Sequence, residues 1–331
     1  MIFASNTKLS NYFNKLAYYD NFFSAIKNVF SIFAKIRFGM TELNNLIQYC
    51  IRQYKQPKRC RACVNEKQCG NADNCYRVCI YKIHRFSNKV LRYNCPNMLN
   101  SYVLKHFYRY ASEIESVFER FFSGFSGHIH IASIGCGPAS ELFGIVNFKE
   151  RTPLSTFTFD YKGFDLDSIW QPIWTYAESR FDYAHFLKQD FFEYYKTNSK
   201  PDVIILNYML SDMAKYSPES MPQFLEKFLD FIDSMPYGMV IINDITYEST
   251  KLDTAYGCLF YIHKRISKGN TYKIYPGSFK KLPVHTDKYF GKRIDNDAIR
   301  SDMLNVPYNI EPFSSCGSLQ YIILKPRQSQ P

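Results

Sequence analysis

The chain has 331 residues, 46% of them hydrophobic, with a formal net charge of +11 at pH 7. That length buries a substantial core, so one large domain with a smaller module is expected, in a chain of ordinary globular composition. No run approaches the roughly 20 apolar residues of a membrane-spanning helix, and the largely apolar stretch Val203 to Leu210 is far too short. No charged segment followed by an apolar core opens the chain, so a cytoplasmic location is expected.

In chain order, Phe22, Ile26, Val29 and Phe33 repeat at helical spacing. They predict an amphipathic helix capped by Asp20 or Asn21, for packing or for a partner or membrane surface. Leu43, Leu46, Ile47, Cys50 and Tyr54 predict another, with Cys50 in the core rather than on a metal. Residues 1–127 hold 19 Lys/Arg against 7 Asp/Glu, and the remainder is nearly balanced. Between Arg52 and Arg92, eleven basic residues face only Glu66 and Asp73. Such a stretch has the electrostatics of a surface that grips a nucleic acid or another polyanion, or of a simple solvated basic face.

Seven of the ten cysteines precede residue 96, and Cys60, Cys63, Cys69, Cys75 and Cys79 fall within one run. Two residues between Cys60 and Cys63 let both thiolates point at one ion, with Cys69 and Cys75 or Cys79 completing a tetrahedron and His84 in reserve. Structural zinc is the expectation. An iron–sulfur cluster and the absence of metal are the alternatives, and without a secretion signal disulfides are disfavoured.

Val103, Phe107, Tyr110, Ile114, Val117 and Phe121 trace a long helix ending before Gly124 to Gly127. A mainly helical, basic, cysteine-rich module over 1–125 is therefore expected before a domain over 126–331. From Ile129 the pattern changes. "IHIASI", "TFDYKGFDLD", "HFLKQDFF", "DVIILNYML", "GMVIINDI" and "SLQYIILKP" read as strands, with "ASELFGIVNF" and "ESMPQFLEKFLDFIDSM" as helices. This βαβ rhythm predicts an α/β fold, a Rossmann-like, mostly parallel sheet with helices on both faces. Ligands of such sheets bind outside the carboxyl ends of the strands.

Gly135, Cys136 and Gly137 form a tight turn between the first strand and its helix. Glycine suits it because the backbone bends sharply there and lets a ligand approach, while the helix offers free N–H groups. At the next strand's end, Asp165 has the place of a carboxylate that holds two ribose hydroxyls, with Asp167 as an alternative or a helix cap.

The order "IGCGPA", "GFDLD", "KQDFF", "PDVIILNYMLSDM", "MVIINDI" resembles class I S-adenosylmethionine-dependent methyltransferases over Ile129 to Pro326. The resemblance implies that Gly135, Cys136 and Gly137 lie against the methionine portion and that Asp165 binds the ribose. It implies that Asp190 accepts from the adenine amino group, with Phe191 beside the base, and that Asn207 and Tyr208 stand beside the methyl and the acceptor. Tyr208, Asp212 and Asp244 are candidates for contacting the acceptor. The sequence departs from the family at Ser133, where an acid is frequent, and at Ala139, where a third glycine is frequent. Glu141 is a candidate to supply the missing carboxylate.

The implied reaction is a direct displacement, in which a general base is needed only if the acceptor loses a proton. The expected acceptor is RNA or DNA recruited by the basic module, with a protein or small molecule as alternative. A catalytically inactive fold that binds a nucleic acid or partner is the rival reading. A nicotinamide dehydrogenase fits less well, because its fingerprint wants glycine where Ser140 stands.

Overall fold

The computed structural model describes residues 40–54, 96–152, 156–245, 251–268, 271–279, 292–293 and 303–326. The helix expected around Phe22 to Phe33, the cysteines Cys60 to Cys79, His84 and nearly all of the basic stretch lie outside them. Helix α1 (Glu42–Gln53) starts at Thr41, whose hydroxyl accepts from Asn44 N, and its apolar stripe buries Leu46, Ile47 and Cys50 completely. Helix α2 (Pro96–Phe122) follows as a 27-residue element with most of its length buried.

Strand β1 (His128–Ile134) then leads through the glycine turn into α3 (Ser140–Arg151), followed by β2 (Thr158–Phe164) and α4 (Gln171–Glu178). Next come β3 (Ala184–Leu187), the short α5 (Phe191–Tyr194), β4 (Val203–Asn207), α6 (Met209–Tyr216) and α7 (Met221–Ser234). The chain continues as β5 (Gly238–Ile245), α8 (Ala255–Ile266), β6 (Lys273–Ser278), the two-residue β7 (Lys292–Arg293) and β8 (Ser318–Lys325).

Among the described residues these strands form one sheet in the order β3-β2-β1-β4-β5-β8-β6-β7. The run from β3 to β5 is parallel, and β8 enters antiparallel between β5 and β6. This is the expected α/β class. The chain leaves β1 toward β2 and β3, then returns to place β4 on the other side of β1. The strand order therefore reverses between β1 and β4, and a crevice opens at their carboxyl ends.

Both faces of the sheet are covered along its central strands, which is why β4 and most of β5 read as apolar runs. Ile129, Ile131, Val203, Ile205 and Ile241 belong to a core shared with α1, α2, α3 and α4. Their neighbours Ala132, Ile134, Ile204, Leu206 and Ile242 belong to a second core with α6, α7 and α8. The helices before the expected 125/126 boundary thus share a core with the sheet. A β-carbon added at Gly144 of α3 would stand 2.4 Å from the Ala111 carbonyl oxygen of α2. The close crossing of these helices therefore depends on glycine at that position.

Two helices begin in unusual ways, the expected α3 and also α6, whose first residues Met209 and Leu210 the sequence pattern places in the preceding strand. Ala139 before α3 and Tyr208 before α6 are both left-handed, with φ of 63° and 58°. Non-glycine residues hold that conformation at a cost of about 1–3 kcal/mol only where their surroundings fix it. Both flank the crevice. Among the described residues no helix is long and apolar enough to cross a membrane.

Candidate functional site

The crevice is a cleft of about 1220 Å³ at the carboxyl ends of β1 to β4. Pockets for a single small ligand run to about 300–1,000 Å³, so this one has room for a nucleoside-sized ligand and part of a second molecule. Its lining includes Gly135, Cys136 and Gly137 after β1, Asp165 after β2, and Asp190 and Phe191 after β3. Asn207, Tyr208 and Asp212 after β4 complete it. The residues chosen from sequence for cofactor and acceptor are brought to one cavity by the strand ends. Asp244, the remaining acceptor candidate, is buried and accepts from Ser211 N at 3.0 Å and Ile245 N at 2.7 Å.

The glycine turn is tied to the next strand by hydrogen bonds. Cys136 N donates to Phe164 O at 3.0 Å, and Gly137 N donates to Asp165 Oδ2 at 2.9 Å. The other oxygen of Asp165 accepts from Asp167 N at 2.8 Å, while Asp167 itself accepts from Ile169 N and caps a short 3-10 turn. Gly135 and Gly137 have φ of 63° and 47°. A β-carbon at Gly135 would lie 2.7 Å from Met209 Cγ, whereas one at Gly137 would meet nothing nearer than Trp170 at 3.8 Å. Gly135 is thus required by packing, and Gly137 leaves backbone open toward the cleft. The carbonyl of Gly137 accepts from Trp174 Nε1 at 2.8 Å, which fixes the outer side of the turn.

Burial raises the Asp165 carboxyl above its ordinary value, with the two N–H donors opposing the rise. Burial also raises the Cys136 thiol well above its usual value, which disfavours a thiolate there. Asp190 caps α5, its Oδ1 accepting from Glu193 N at 2.9 Å. Phe191 packs edge-on against Phe164 beside it.

Ser133 and Glu141 face each other beneath the turn. Ser133 Oγ donates to Glu141 Oε1, which also accepts from Tyr161 OH at 3.0 Å, and Ser140 Oγ donates to Glu141 Oε2 at 3.2 Å. Asn207 Nδ2 donates to Ser140 Oγ at 3.0 Å, and Asn207 Oδ1 accepts from Asn243 Nδ2 at 2.9 Å. Both ends of the Asn207 amide are therefore held, and its orientation is fixed from the protein side.

Asn243 links this chain of bonds to Glu113 of α2, a fully buried carboxylate absent from the sequence reading. Glu113 accepts from Asn243 Nδ2, Tyr208 OH and Gly317 N, each at 2.8 Å. Burial raises its pKa, and these donors partly offset the rise. Tyr208 is thereby held at three points. Its hydroxyl is on Glu113, its N–H donates to Asn243 O at 2.7 Å, and its ring stacks on Tyr110 with centroids 3.7 Å apart. These contacts fix its left-handed backbone.

Asp212, in the first turn of α6, is partly exposed to the cleft. Burial and then the Asp244 carboxylate push its pKa up to about 7, Lys215 pulling it down. Burial likewise lifts Asp244 to about 6. Asp212 is thus the acid–base group at the cleft wall, with Asp244 buried behind it. Tyr102 and Trp170 also line the cavity, as does Tyr110, which the sequence pattern placed only on the apolar stripe of its helix.

Neither a protein-family model nor a curated protein matches the sequence. Similarity to solved structures is found at the level of structure, not of sequence. The chain is similar to precorrin-6y C5,15-methyltransferase from Geobacter metallireducens GS-15, at 12% identity over 64% of this chain and 88% of that one, TM-score 0.38. It is similar to the plantazolicin methyltransferase BpumL in complex with SAH, at 12% identity over 86% and 100%, TM-score 0.37. A SAM dependent methyltransferase from Archaeoglobus fulgidus is similar at 13% identity over 65% and 94%, TM-score 0.37. At these identities the likeness concerns the fold, whose assignment here rests on the strand order itself.

Proposed function

We propose that the chain binds S-adenosylmethionine in the cleft and transfers its methyl group to an acceptor by a single in-line displacement. One observation carries the reading. The glycine turn, the acids after β2 and β3, and the Asn-Tyr pair after β4 all open on one cavity at the strand ends. The residues present fit the group. An ionised carboxylate offers about four acceptor positions. Gly137 N and Asp167 N occupy two on Asp165, and the others are suited to adjacent ribose hydroxyls.

Gly135, Cys136 and Gly137 would lie along the methionine portion, and Asp190 with Phe191 would hold the adenine. Bound S-adenosylmethionine supplies a methyl already activated by its sulfonium, so the protein's work is alignment and exclusion of water. The fixed amide of Asn207 and the clamped ring of Tyr208 form a rigid wall for that alignment. Asp212, with a pKa of about 7, is suited to take a proton from an acceptor near neutral pH.

For the acceptor we propose a nucleic acid, on the strength of the eleven basic residues between Arg52 and Arg92. Its affinity should fall steeply with added salt, and salt-independent binding would exclude that role. For Cys60, Cys63, Cys69 and Cys75 or Cys79 we propose structural zinc. A Cys60→Ser, Cys63→Ser variant should then lose one metal ion by elemental analysis. The methyltransferase reading is tested by calorimetry with S-adenosylmethionine. Saturable binding by the folded full chain is expected, and none at millimolar ligand overturns it.

A further inference from the structure

The opposite end of β1 carries a second group of chemistry-bearing side chains. His128 and His130 occupy alternate positions of the strand, so both leave the same face of the sheet. Asp160 of β2 is in register with His130. His128 Nε2 stands 3.1 Å from Asp160 Oδ2, and His130 Nδ1 stands 3.3 Å from the same oxygen. The three donor atoms all lie within 4.8 Å of one another. Six strand steps, or about 20 Å, separate this group from the glycine turn.

The distances decide what the group resembles. A tetrahedral ion with ligands at about 2.05 Å has ligand-to-ligand edges of about 3.3 Å. Two of the three edges already have nearly that length, and the third closes by small rotations of half-exposed rings. Moreover, His128 Nδ1 is 2.9 Å from Thr158 Oγ1, so the ring is oriented with Nε2 toward the shared centre. Such an outer hydrogen bond is how ligating histidines are commonly held. Beneath them the buried Asp202 accepts from His130 N at 2.8 Å, fixing the backbone and adding a second nearby carboxylate.

We propose that His128, His130 and Asp160 form a binding site for a borderline divalent transition ion such as zinc, stapling the beginning of β1 to β2. Two imidazoles and one carboxylate favour zinc, cobalt, nickel or copper over magnesium or calcium. Solvent access to His130, 52% exposed, gives the ion an entry path and leaves a coordination position for water. The site is separate from the proposed methyl-transfer cleft and does not depend on that reading.

The test is a cobalt(II) titration of the full chain, comparing wild type with His130→Ala and with the nearly isosteric Asp160→Asn. Cysteines are common to all three proteins, and any cobalt they take shows sulfur-to-metal charge transfer. The expected result is one extra equivalent in the wild type, without that band, lost in both variants while their circular dichroism is unchanged. Thr158→Val should weaken the same equivalent about tenfold. Equal stoichiometry in the three proteins overturns the proposal, as does an extra equivalent carrying the thiolate band.

Discussion

Replacing Asp212 by Asn isolates the electrostatics of the cleft wall. Burial and the Asp244 charge raise this carboxyl from its ordinary 3.8 to about 7 in the fold. Between those values the folded chain binds more protons than the unfolded one. The stabilisation is therefore fully present at low pH and is lost as pH rises through about 7. At about 1.36 kcal/mol per pH interval, the whole rise corresponds to about 4 kcal/mol for a carboxyl sealed from water. Asp212 borders the cleft, and solvent screening there reduces the expectation to about 1–2 kcal/mol. Asparagine carries no charge at either end of the range. The part of the rise between pH 5 and 7 is about two thirds of the whole, so urea melts at pH 5 and pH 8 should show Asp212→Asn gaining about 1 kcal/mol on wild type between them. Asp244 is present in both proteins, and its relief in the variant acts in the same direction. A stability difference that stays constant between the two pH values refutes the argument.

Glu113→Gln should destabilise by about 1–3 kcal/mol, because an amide cannot accept from donors on both of its atoms and one buried donor is left unpaired. Far-UV melts measure it, and Tyr208 fluorescence or NMR should report a loosened ring. Gly144→Ala sets two effects against each other. Alanine favours an open helix by about 1 kcal/mol, but a β-carbon 2.4 Å from Ala111 O should cost about 1–3 kcal/mol of overpacking, and the net change is destabilising in a thermal melt. Asp165→Asn should weaken S-adenosylmethionine binding about 10- to 100-fold by calorimetry, from the loss of charge-assisted bonds.

The elements legible in the sequence are those whose burial leaves a simple pattern. β4, β5 and β8 are buried on both faces and read as continuous apolar runs, while α7 shows one apolar stripe. By contrast, α8 is interrupted by Gly257 and ends in basic residues, and β6 contains Pro276 and Gly277, which strands ordinarily avoid. β6 exists because β8 and β7 pair with it on either side, a tertiary effect with no local signature. The cleft followed the same division. Its turn and strand-end acids announce themselves by position, but Glu113 looks like any solvated helix residue. Its partners Asn243 and Gly317 are 130 and 204 residues away, so only the closed sheet reveals that it faces inward.

The substitution at Ser133 shows how the floor of the cleft is built. The resembling family often carries an acid at this strand position, and serine there suggested a missing charge. In the structure a carboxylate is present nearby, but it comes from Glu141, eight residues later on α3. Ser133, Ser140 and Tyr161 all donate to it. An acid at 133 would stand directly against Glu141, and two carboxylates at hydrogen-bonding distance in a buried site cannot both ionise. Serine at 133 and glutamate at 141 are therefore one arrangement, not a loss at one position and a coincidence at another. That arrangement continues through Ser140, Asn207 and Asn243 to Glu113. A single hydrogen-bonded layer thus joins α3, β4, β5 and α2 beneath the cleft. Its two buried carboxylates account for the fixed orientation of Asn207 and Tyr208, the two residues the methyl-transfer reading needs most rigidly placed.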